Sequence, residues 1–168
     1  QIAQGGPVTL TDPGMTRFIM TLEQSVSLLL KSMTLALGGE VFVTKMPVIC
    51  LKDLTEVMIE VLSPIFGHAR EQVIIKEIGP RPGEKMYEEL MSEEEIRRSV
   101  ELEDLFVVFP AFRNIYAAID YTYQGFLEKP VTSVYNSANE KPMSQDEIRE
   151  FLLLPGVLPE DIRRRLSE

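Results

Sequence analysis

The chain has 168 residues, 45% of them hydrophobic, and a mean hydropathy of +0.01, which is enough for one folded domain with its own core and excludes a disordered chain. A net charge of −9 excludes a general nucleic-acid binder, since neutralising phosphates takes clustered lysine and arginine. One cysteine, one histidine and no apolar run of about 18 residues argue against an internal disulfide, a Cys/His metal site and a membrane-spanning helix.

In chain order, Val8-Thr9-Leu10 is a short β-prone run ended by the turn signal Asp12-Pro13-Gly14. A helix is expected over 21–37, opened by the capping-box pair Thr21 and Gln24 and stopped by Gly38-Gly39. Leu22, Val26, Leu29, Leu30, Met33 and Leu37 recur at helical spacing, so this helix should pack one broad face into the core. Residues 40–44 form an expected buried strand, and Cys50 in the run Pro47-Val48-Ile49-Cys50-Leu51 is expected to be a buried, inert thiol. A second helix covers 51–62, with Leu54, Val57, Met58 and Val61 inward, and a strand covers 72–78.

A third helix is expected over 84–91, continued under a Ser92 cap to residue 100, with Lys85, Glu88 and Glu89 as solvated ion pairs on it. Another strand covers 105–109. Beyond it, 133–137 is a short extended piece, Ser144 caps a helix to about 153, and Pro159 starts a last helix. Arg163-Arg164-Arg165, beside Glu160 and Asp161, reads as a solvated helix end. Strands alternating with helices give an α/β fold class: a small domain of few short strands and packed helices.

Two arginines stand in short turns that lead toward expected helices: Arg17 after Asp12-Pro13-Gly14, and Arg81 in Gly79-Pro80-Arg81-Pro82-Gly83. Guanidinium offers forked donors that match phosphate oxygens, so two of them can converge on a diphosphate; the plain alternative for Arg17 is a surface ion pair. Glu84, in the expected first helical turn, either complements the helix dipole or accepts from two vicinal ribose hydroxyls. The glycines never form Gly-x-Gly-x-x-Gly, and none of Tyr87, Tyr116, Tyr121, Tyr123 and Tyr135 has a lysine four residues on. Neither a dinucleotide fingerprint nor a tyrosine-lysine acid/base pair is therefore present, and no catalytic residue or cofactor is assigned to these residues.

The stretch Gly6-Pro7-Val8-Thr9-Leu10-Thr11-Asp12-Pro13, with Met15-Thr16-Arg17-Phe18-Ile19-Met20-Thr21, resembles the start of the C-terminal half of CapD-like polysaccharide-biosynthesis proteins. These are nucleotide-sugar 4,6-dehydratases of the extended short-chain dehydrogenase superfamily. Gly39-Glu40-Val41-Phe42-Val43-Thr44-Lys45-Met46-Pro47 and Arg81-Pro82-Gly83-Glu84-Lys85-Met86-Tyr87 continue the resemblance, and the former is closest to the UDP-N-acetylglucosamine type.

The resemblance implies that Arg17 and Arg81 bind a UDP diphosphate, that Glu84 holds the uridine ribose, and that Lys45 contacts the sugar or a neighbouring domain. It places NADP or NAD in a preceding Rossmann half, with residues 1–110 as the substrate-binding region and 111–168 as a helical and irregular extension of the same domain. A start at Gln1 without methionine fits a segment of something longer. The expected setting is cytoplasmic, with a UDP-sugar and the Rossmann domain as partners, no nucleic acid, and a homo-oligomer compatible. Two other readings stay open: a nucleotide-sugar-sensing module without catalysis, and the same half of a UDP-sugar 4-epimerase.

Overall fold

The computed structural model describes residues 1–116, 118–123 and 129–167. Its strands are β1 (Val8–Leu10), β2 (Thr16–Phe18), β3 (Val41–Thr44), β4 (Val48–Cys50), β5 (Ile75–Glu77), β6 (Glu89–Met91), β7 (Ser99–Glu101), β8 (Leu105–Val108), β9 (Lys129–Pro130) and β10 (Tyr135–Asn136). Its helices are α1 (Leu22–Leu35), α2 (Leu51–Leu62), α3 (Glu93–Ile96), α4 (Gln145–Leu152) and α5 (Glu160–Ser167). The α/β class expected from the sequence is the class observed.

The sheet in order β3-β8-β7-β9 is antiparallel throughout. All of β8 is buried, and its alternation serves two cores because successive side chains of a strand point to opposite faces. Leu105 and Val107 pack with Leu102, Phe109 and Tyr123, while Phe106 and Val108 pack with Met91 and Tyr135. The remaining strands form pairs: β1 with β5 in parallel, β2 with β4 and β6 with β10 antiparallel.

Helix α2 has the expected bounds and is apolar on two sides. Ile59 and Leu62 meet Ile2 and Val73, while Val57 meets Ile49 and, on α4, Ile148 and Leu152. Arg149 of α4 locks this packing with a 2.8 Å ion pair to Glu60 of α2. Thr21, Ser92 and Ser144 each close a capping box with the Gln or Glu three residues on, which is why α1, α3 and α4 begin where they do.

The strand expected over 72–78 shortens to β5 (Ile75–Glu77), because residues 70–72 close a single 3-10 turn, and four further expectations need correction. Residues 84–91 form no helix: a turn leads through an irregular strap into β6, α3 ends at Ile96, and β7 follows. The strap's backbone groups bond to partners far away in sequence, Met86 O to Thr16 N at 3.0 Å and Glu88 O to Ser137 N at 2.8 Å, so they are not available to a helical ladder. The ion pairs expected on that helix go with it.

Second, α1 packs no broad face into the core and has no fully buried residue. Its stripe of Leu22, Val26, Leu29, Leu30, Met33 and Leu37 stands 43% to 80% exposed. Third, β3 is a half-buried edge strand with Val41 exposed, not a buried one. Fourth, Cys50 is half-buried, with its thiol donating to Pro13 O at 3.1 Å. The arginine cluster lies on α5 as expected, with Arg163 and Arg164 paired to Glu160.

Candidate functional site

The turn at Asp12, where the side chain accepts from Gly14 N at 2.8 Å, delivers the chain into β2. Arg17 therefore sits on a strand rather than in the turn, a few residues ahead of the α1 N-terminus. One edge of β2 pairs with β4, Arg17 opposite Ile49. The other edge meets the strap: Thr16 N donates to Met86 O, and Phe18 N donates to Glu88 Oε2 at 2.9 Å.

The Arg17 guanidinium turns the same way. It donates to Thr16 O at 2.7 Å, Lys85 O at 2.8 Å and Met86 O at 3.4 Å, lies 2.9 Å from Met15 Sδ, and its Nε is 3.8 Å from a Glu88 oxygen. With the side chain 24% exposed, this fork holds the strap against β2.

Upstream of the strap, the Arg81 amide donates to Glu84 Oε2 at 2.9 Å and the Glu84 amide returns a bond to Arg81 O at 3.0 Å. Gly83 takes φ +86°, a conformation that favours glycine, so the turn needs it. Both prolines limit the loop's other conformations. The Arg81 side chain is exposed and, among the described residues, has no partner. Glu84 is exposed too, and its capping bond leaves acceptor capacity on the carboxylate.

The structure thus joins the two arginine segments side by side, with Arg17 fastening the loop that Arg81 and Glu84 present. Lys45 lies elsewhere, at the end of β3. Its ammonium donates to Glu101 at 2.7 Å, Leu102 O at 2.7 Å and Glu103 O at 3.0 Å, and sits 5.3 Å over the Phe106 ring. It borders two hollows, one of about 190 Å³ against α1 with Ser27 and Asp104, the other of about 240 Å³ with Thr132, Tyr135 and Glu140.

Two residues of this region escaped the sequence reading. Glu88 binds the β2 backbone, and buried Ser137 bonds both Thr16 and Glu88. Partners 121 residues apart leave no local signal. Tyr135 packs between β2 and β8, its ring centroid 4.8 Å from that of Phe18 and 4.9 Å from that of Phe106, and its hydroxyl accepts from Met46 N at 2.7 Å. Burial raises its phenol pKa, so it stays neutral.

The turn over 79–83 is not a dinucleotide loop. The glycine turn after β5 runs into β6 rather than into a helix whose N-terminus could take a pyrophosphate. No group of three or more His, Cys, Asp or Glu suited to a metal occurs among the described residues.

Residues 1–110 match the family described as "Polysaccharide biosynthesis protein". Among similar proteins, "Uncharacterized membrane protein MJ1061" of Methanocaldococcus jannaschii is 48% identical over 152 residues, covering 90% of this chain and 42% of that protein. The "UDP-glucose 4-epimerase" of Rickettsia rickettsii is 34% identical over 163 residues, covering 97% of this chain and 46% of that protein. The crystal structure of Pen from Bacillus thuringiensis superposes with a TM-score of 0.76 at 39% identity, over 90% of this chain and 42% of that one. The chain therefore spans less than half the length of these relatives. No described helix is long and apolar enough to cross a membrane. By the family match and these relatives, the chain belongs to the CapD-like polysaccharide biosynthesis proteins.

Proposed function

We propose that this chain is the substrate-holding part of a nucleotide-sugar-modifying enzyme and binds the UDP moiety of a UDP-N-acetylhexosamine. The observation that carries the reading is the joined pair of segments: Arg17 clamps the strap, and the loop above it offers an exposed Arg81 beside Glu84, without a partner among the described residues. In this reading Arg81 takes the diphosphate through its forked donors, with Arg17 adding charge and holding the loop in place. Glu84 accepts from the ribose hydroxyls. Lys45, whose three donors are occupied, remains the weaker candidate for the sugar side or a domain contact.

Binding energy gathered on the remote diphosphate would orient the sugar for chemistry carried elsewhere. That chemistry belongs in this reading to an N-terminal Rossmann domain with NADP or NAD, docked on the apolar stripe of α1. The reaction proposed is 4,6-dehydration, on the strength of the Phe-Val-x-Lys-Met-Pro motif. The alternative of 4-epimerisation is favoured by the Rickettsia relative, and analysis of the sugar product would separate the two. Residues 111–168 would complete the same domain, since β10 pairs with β6 and α4 packs on α2.

Calorimetric titration of UDP into the chain, beside Arg81→Ala, tests the reading. Removing a charge-assisted contact should weaken UDP about tenfold or more. Unchanged affinity in Arg81→Ala would overturn the assignment. A wild-type chain that binds no UDP, alone or when a Rossmann domain from a relative is added, would overturn UDP binding itself.

A further inference from the structure

Ser137 is fully buried and polar, and it lies outside the stretch that matches the family. Its hydroxyl is completely used. The oxygen is 2.9 Å from Thr16 Oγ1, accepts from Glu88 N at 2.9 Å and donates to Thr16 O at 3.3 Å. One proton and two lone pairs allow that set if the threonine hydroxyl donates. The Ser137 amide adds a 2.8 Å bond to Glu88 O.

Both partners border the arginine segments. Thr16 precedes Arg17, and Glu88 closes the strap whose Lys85 and Met86 carbonyls hold the Arg17 guanidinium. Asn136 steadies the approach by accepting from Ala138 N at 3.1 Å and Asn139 N at 2.9 Å. Tyr135 anchors the other side through Met46 and Phe18.

We propose that Ser137 is a positioning residue for the anion site, its hydroxyl setting β2 against the Arg81 loop's strap. The inference deepens the UDP reading and rests on it for the ligand's identity. It also means that the C-terminal stretch helps build a site whose ligand-facing residues all come from the first 110.

Ser137→Ala removes the hydroxyl and leaves the backbone bond to Glu88, so it isolates the contact. Site-resolved hydrogen exchange and UDP titration would be run on wild type, Ser137→Ala, Thr16→Val (which deletes the partner hydroxyl) and Ile148→Val, a core change on α4. The expected result is exchange at the Thr16, Phe18 and Glu88 amides accelerated about tenfold beyond that at β3 and β8, in both hydroxyl-deleting variants. UDP affinity should fall about three- to tenfold in Ser137→Ala and hold in Ile148→Val. Acceleration spread evenly over all strands, no acceleration, or unchanged UDP affinity in Ser137→Ala would overturn the proposal. If wild type binds no UDP while the selective acceleration persists, the UDP reading falls and the positioning of the Arg17 strand stands.

Discussion

The Arg17 guanidinium spends its donors on carbonyls of β2 and the strap, whereas Arg81 next to Glu84 has no partner among the described residues. The two arginines should therefore separate in a stability measurement. Arg17→Ala strips Lys85 O of its donor and should cost about 1–2 kcal/mol by denaturant unfolding. Arg81→Ala should stay within about 0.5 kcal/mol of wild type. Equal losses would mean that the Arg81 side chain has a structural partner.

A pH effect also belongs at this scale. Hydrogen bonds from Ser92, backbone first and then side chain, lower the pKa of Glu95. A carboxylate depressed by folding contributes its stability in full above the ordinary glutamate range and loses it as pH falls through the lower folded value. Glu95→Gln keeps the geometry of the box without the ionisation. Its unfolding free energy should thus change less than that of wild type between about pH 6 and pH 3. Parallel pH profiles for the two proteins would contradict this.

Among the elements, α1 is held by its ends and edges rather than by its long apolar stripe. Thr21 caps it, and Lys31 pairs with Asp104 at 2.5 Å. Leu29→Ser and Met33→Ser should therefore leave the unfolding midpoint of this chain almost unmoved, within about 0.5 kcal/mol. Ile148→Ala on α4 should cost about 2–5 kcal/mol, because that side chain is fully buried against α2. Thermal melts of the three variants check the contrast, and a large loss in either α1 variant would show that the stripe is packed. Capping made most helix starts legible, since Thr21, Ser92 and Ser144 stand three residues before their glutamine or glutamates. The turn before residue 84 misled instead: Glu84 bonds back to the Arg81 amide within it, and no helix follows.

For the whole molecule, sequence pattern alone established a small α/β domain, the bounds of α2, the starts of α1 and α4, and the turn that carries Arg81 and Glu84. These depend on spacing within about ten residues, where periodicity and caps act directly. The tertiary structure decided that the 84–91 segment would be strap and strand, that the apolar face of α1 would stay outside the core, and that Ser137 would join Thr16 to Glu88. The reason is that a backbone carbonyl such as Met86 O takes whichever donor the fold brings to it. Here that donor is Thr16 N, seventy residues earlier, and no local pattern records such a partner.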